Sequence, residues 1–164
     1  MGIVRPHLWY HSQALEAAEF YTSLIPNSSI TSVRTAPVDM PGVAKGTPFI
    51  VEFTLDGMPV IAISAGPHLT LDEAFSFVID CENQEEVDHY WEALISDGGE
   101  PSACGWLKDR FGLSWQVVPR ALDSLLFAEG EAGARATEAM LSMGKLDIAA
   151  IQAAHDGALQ AHPA

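Results

Sequence analysis

The chain has 164 residues, 48% of them hydrophobic, 9% aromatic and 18% charged, a composition too apolar for intrinsic disorder. A single domain of about this length buries roughly 70% of its unfolded-chain surface, so a core can form without disulfides or metals. Eight Lys and Arg against 22 Asp and Glu give a net charge of −14, which disfavours nucleic acid and anionic membranes as partners.

No apolar run approaches the ~18–20 residues of a membrane span. Met1 to His7 has no apolar leader core, so a cytoplasmic protein is expected. Cys81 and Cys104 lie outside any C-x-x-C spacing and read as thiols rather than a disulfide or a zinc site.

In chain order, Ile3–Tyr10 reads as a strand with Pro6 near its start. Ala14–Ile25 places Leu15, Ala18, Tyr21 and Ile25 on one helical face, with Ser12 or Gln13 as cap and Pro26 as stop. Ile30–Ala36 is a short strand, and residues 40–46 form a loop. Phe49–Leu55 alternates cleanly, Asp56-Gly57 turns it, and Pro59–Ser64 returns.

The pattern then restarts. Phe75–Cys81 is a strand and residues 83–96 a helix, with Asn83 as cap and Glu86 at capping-box spacing. Gly98-Gly99 closes that helix, and Ser102–Lys108 and Ser114–Pro119 read as strands joined by residues 109–112. Ten acids between Asp72 and Glu100, with no Lys or Arg among them, read as a solvated face.

The two halves superpose in sequence. Glu16, Phe20, Tyr21, Leu24 and Ile25 match Glu86, Tyr90, Trp91, Leu94 and Ile95, and Gly57 matches Gly112. The resulting expectation is two modules, about residues 1–67 and 68–120, in one α+β domain. Residues 121–157 add short helices (122–127, 132–143 and 148–155, the last capped by Asp147), and 158–164 fray. The apolar stripes of these helices close over the protein's own sheet or reach a second subunit; the sequence does not choose.

The stretches HLWYHSQALEAAEFYTSLIPNSSI, FTLDGMPVIAISAGPH, EAFSFVIDCENQEEVDHYWEAL and CGWLKDRFGLSWQVVP resemble the PhnB-like branch of the vicinal oxygen chelate superfamily. That superfamily includes glyoxalase, bleomycin-resistance proteins and extradiol dioxygenases. The resemblance spans Ile3 to about Gly157. It implies paired βαβββ modules cupping a cavity, and a homodimer. Many relatives carry the description demethylubiquinone methyltransferase, yet no glycine-rich loop follows the first strand to hold S-adenosylmethionine.

Metal-using members of the superfamily place ligands on the first and last strands of each module. The matching seats here are Pro6 or His7, Ser76 or Phe77, Ile61, and Gln116. Of these, His7 and Gln116 could coordinate, and two weak ligands do not hold a catalytic ion, so neither a metal nor another cofactor is expected. The expected pocket residues are His7, Trp9, Glu52, His68, Cys104, Trp106 and Gln116, with Cys104 and Trp106 sharing a face of the penultimate strand.

The resulting expectation is a protein that binds an unknown small molecule. Alternatives are a metal-free enzyme using His7 or Glu52 as general base, a metal-dependent lyase or dioxygenase, the methyltransferase of the family description, or a protein-interaction domain using the C-terminal helices. No G-x-S-x-G, H-E-x-x-H or P-loop is present.

Overall fold

Strand alternation and helical spacing generate the same chain order twice. In the computed structural model, which describes residues 3–157, the unit Met1–Asp72 runs β1 (His7–Tyr10), α1 (Ala14–Leu24), β2 (Ser29–Thr35), β3 (Pro48–Leu55) and β4 (Met58–Ser64). The unit Glu73–Ala164 runs β5 (Ser76–Cys81), α2 (Gln84–Ile95), β6 (Glu100–Pro101), β7 (Trp106–Lys108) and β8 (Ser114–Pro119). It continues into α3 (Leu122–Leu126), α4 (Glu131–Leu141) and α5 (Ile148–His155).

Each unit holds one four-stranded mixed sheet, ordered β1-β4-β3-β2 in the first and β5-β8-β7-β6 in the second. In both, the first strand runs parallel to the last and the hairpin strands are antiparallel. The duplicated βαβββ order and the α+β class are therefore present in the structure.

In the N-terminal sheet one face is buried: Leu8, Tyr10, Val51, Phe53, Val60 and Ala62 lie against α1. The helix meets them with Ala14, Ala17, Ala18 and Tyr21, a face rotated from the expected stripe. Leu15 is half-buried and Ile25 already has extended backbone, because small alanines let the helix settle closer to the sheet than a leucine would. Gln13 gives no side-chain cap; instead the Ala14 N–H donates to Ser64 Oγ, 3.1 Å away on β4. Strand β1 starts later than expected, at His7. Pro6 has no N–H to donate, although its carbonyl accepts the Ile61 N–H at 3.0 Å.

The C-terminal sheet packs α2 through Val87, Trp91 and Leu94. Asn83 caps this helix by accepting the Glu86 N–H at 3.0 Å, while the Glu86 carboxylate takes the Glu82 N–H at 2.8 Å. The expected strand Ser102–Lys108 is shortened to Trp106–Lys108. Cys104 and Gly105 both adopt left-handed backbone (φ 57° and 82°), which breaks a strand. Their N–H groups donate instead to Met143 and Gly144 carbonyls at 2.8 Å.

The last three helices pack on their own unit. Leu122, Leu125, Ala136, Leu146 and Ile151 form a core with Val118 of β8, Met140 and Met143. Each large aliphatic side chain buried there contributes about 2 kcal/mol. Gln84 of α2 fastens the connection before α5, donating to the Leu146 carbonyl at 3.0 Å and accepting the Ile148 N–H at 2.9 Å. Among the described residues no helix is long and apolar enough to cross a membrane.

Candidate functional site

Each sheet has one face covered by its helix, so chemistry is confined to the other. On the N-terminal sheet, register sets His7, Ile61, Glu52 and Ser32 in one row and Trp9, Ile63, Ile50 and Arg34 in the next. His7 is exposed and Trp9 half-buried. The Trp9 indole N–H donates to the Gly66 carbonyl at 3.0 Å, which fixes the ring. Glu52 sits between two guanidiniums, Arg34 at 2.6 Å and Arg5 at 3.6 Å, so its carboxylate is engaged by charge. His68 is exposed in the connection after β4.

On the C-terminal sheet the open face carries Ser76, Val78, Trp106, Lys108, Ser114 and Gln116, because Phe77, Leu107, Trp115 and Val117 point to the helix side. Gln116 donates to Ser76 Oγ at 2.9 Å. A groove of about 500 Å³ opens here, lined from β6, the turn after it, β7 and β8, with Cys104, Trp106, Lys108 and Ser114 among its walls. Cys104 thus reaches the groove from a left-handed turn rather than from a strand face shared with Trp106.

Two features of this groove mark it. Lys108 Nζ meets a carboxylate oxygen of Glu73 at 2.5 Å, and that hydrogen bond holds the Glu73 carboxyl below the usual carboxylate range. Ser114 is 1% exposed, and its Oγ is the buried side-chain polar atom among the described residues with no hydrogen-bond partner. A buried hydroxyl left unpaired costs about 1–3 kcal/mol, and this one lines the groove. Cys81 is different. It is buried away from solvent, and burial, with Glu86 and Asp80 adding to it, pushes its thiol up to about 12, so it stays protonated.

The acids of the Asp72–Glu100 stretch that form ion pairs have exposed side chains, in keeping with a solvated face. Cations elsewhere in the same unit meet it: Arg120 at Glu82 (2.6 Å), Lys145 at Asp88 (2.7 Å) and Arg110 at Asp97 (3.6 Å), besides Lys108 at Glu73.

The seats that would carry a metal do not fit one. His7 lies opposite Ile61, which has no donor atom, and Gln116 is engaged with Ser76. No group of three or more His, Cys, Asp and Glu side chains gathers among the described residues. The turn after β1 does not fit a nucleotide cofactor either. It is His11-Ser12-Gln13, and the first amide of α1 is already taken by Ser64.

Of the residues expected from sequence, the structure brings Cys104 and Trp106 into one groove, with Gln116 on the same sheet face. His7, Trp9 and Glu52 share the open face of the other sheet. Sequence reasoning missed Lys108, Ser114, Glu73 and Glu100. The first two were within reach, since they stand two residues from Trp106 and Gln116 and so share their face.

Comparison with known proteins agrees with the duplicated fold. Residues 3–118 match the family model described as 3-demethylubiquinone-9 3-methyltransferase. The PhnB protein of Bacillus cereus, named provisionally for that same activity, is 31% identical, and the match covers 72% of this chain and 99% of that one at a TM-score of 0.65. Protein PA1353 of Pseudomonas aeruginosa is 17% identical over 73% of this chain and 98% of its own, at 0.59. A fosfomycin resistance protein of Listeria monocytogenes, FosX, is 15% identical over 75% and 94%, at 0.53. These last two show the fold alone. No curated protein matches the chain. With a family model covering both βαβββ modules and a relative matched over nearly its whole length, the chain belongs to the PhnB-like 3-demethylubiquinone-9 3-methyltransferase family, within the vicinal oxygen chelate superfamily.

Proposed function

We propose that the protein binds a small organic molecule in the groove on the open face of its C-terminal sheet. The observation that carries this reading is the buried, unpartnered Ser114 hydroxyl in a groove of about 500 Å³ that also exposes an indole, Trp106. Pockets of this size, mostly apolar with a few placed polar groups, suit drug-sized ligands. Cys104 and Trp106 are the proposed contact residues, with Gln116 beside them. His7, Trp9 and Glu52 offer a second contact surface on the N-terminal sheet, and His68 is the remaining expected contact.

The same reading makes the protein a cytoplasmic homodimer. The two free thiols suit a reducing compartment, and the sequence resemblance supports the dimer, which light scattering would measure directly. Binding is tested by a thermal-shift screen of small aromatic compounds. Hits should raise the melting temperature of the wild type and fail to do so in Trp106→Leu and Ser114→Ala. Hits that stabilise all three proteins equally would overturn the groove as the site.

A further inference from the structure

The charges of the groove narrow its occupant, an inference that rests on the binding reading above. Glu100, Lys108 and Ser114 form one row across β6, β7 and β8, since Glu100 pairs with Lys108 and Lys108 with Ser114. Glu73 enters from the segment before β5 and takes the Lys108 ammonium at 2.5 Å. Glu100, exposed and on the groove wall, has no ion pair among the described residues. One ammonium against two carboxylates leaves the groove with one net negative charge. The whole chain carries −14, so its field draws cations and repels anions.

Two further groups match a cation with N–H bonds. Trp106 is half-buried and lines the groove. Indole is the best aromatic partner for an organic cation. Ser114 Oγ, at 1% exposure and without a partner, lines the groove with a hydroxyl whose lone pairs can accept an N–H. We infer that the ligand is an organic primary or secondary ammonium with an apolar body, its nitrogen held by Glu100 and Trp106 and its N–H donated to Ser114. Lys108 does not oppose it, because Glu73 neutralises that charge.

Calorimetric titration of the full chain with three probes of one shape tests this: 2-naphthylmethylamine, cationic at neutral pH, 2-naphthylmethanol and 2-naphthoate. The amine is expected to bind about tenfold more tightly than the alcohol, and the naphthoate more weakly than both. Glu100→Gln, at an exposed position, should erase the advantage of the amine and leave the alcohol unchanged. Glu73→Gln, which removes one carboxylate from the groove, should weaken the amine, and Ser114→Ala should weaken it about tenfold.

If alcohol and amine bind equally, or naphthoate binds best, with binding still lost in Trp106→Leu, the cationic ligand is wrong and the groove stands. If no probe binds, or Trp106→Leu and Ser114→Ala leave every affinity unchanged, both are overturned. Circular dichroism of each variant establishes that it is folded before its affinity is read.

Discussion

The carboxylate of Asp109 holds the indole of Trp115, with Oδ2 accepting the Nε1–H at 2.8 Å, while Oδ1 takes the N–H groups of Phe111 and Leu113 at 2.9 and 3.0 Å. Asp109 is 3% exposed and Trp115 2%, so one side chain both shapes the β7–β8 turn and orients a core aromatic. Asp109→Ala strands three donors in the interior and is expected to cost about 3 kcal/mol in urea denaturation. Asp109→Asn retains one acceptor oxygen and should cost less. Equal stability of Asp109→Ala and wild type would show that water replaces the carboxylate.

Ser64 caps α1 from outside the helix. Its hydroxyl accepts the Ala14 N–H, while Gln13, at the cap position itself, makes no such bond. Ser64→Ala should therefore destabilise the protein by about 1 kcal/mol, the usual worth of an N-cap, and Gln13→Ala should change little. A reversed order of the two in chemical denaturation would show that the cap lies elsewhere.

This cap shows where reading the chain stops. Local signals were sufficient for most of the fold. Alternation at Phe49–Leu55, the Asp56-Gly57 turn, the Asn83 cap and the offset between halves all lie within short windows, and each appears in the structure. The missed features depend on partners distant in sequence. Ser64 is 50 positions from the amide it caps. Cys104 and Gly105 leave the strand because their amides find carbonyls at Met143 and Gly144, which no local window contains. Trp106 stands on a strand face as alternation implies, but Cys104 reaches the groove from a turn, and the unpaired state of Ser114 is a property of its surroundings alone.

Gly105 and Gly112 make a controlled pair for that tertiary dependence. Both have positive φ, 82° and 89°, which costs an L-residue roughly 1–2 kcal/mol. A β-carbon at Gly112 meets nothing within 4 Å, but at Gly105 it would lie 2.9 Å from the Val117 carbonyl oxygen and 3.0 Å from Leu146. Gly112→Ala is expected to cost about 1 kcal/mol, and Gly105→Ala about 3 kcal/mol because the overlap adds to the backbone strain. Paired melts decide it, and equal losses would mean that β8 and the Leu146 segment yield without cost.

The attachment of the C-terminal helices should depend on pH with a definite sign. Hydrogen bonds from Lys145 and then Gln84 hold the Asp88 carboxyl below the usual carboxylate range, and the Asp88 hydrogen bond raises Lys145 above the usual lysine range. A depressed carboxyl adds stability above its unfolded range and loses it as pH falls through the folded value. A raised lysine adds stability below its unfolded range and loses it as pH rises through the folded value. The pair is therefore intact between those limits, and both groups are exposed enough that its contribution is small and reduced by salt. The melting-temperature difference between wild type and Lys145→Met should be flat around neutrality and shrink at both the acid and the alkaline end. Limited proteolysis between Met143 and Asp147, the segment that Lys145 anchors, should follow the same profile. A difference that persists unchanged into acid would assign the attachment to the Gln84 clamp and the apolar core beneath it.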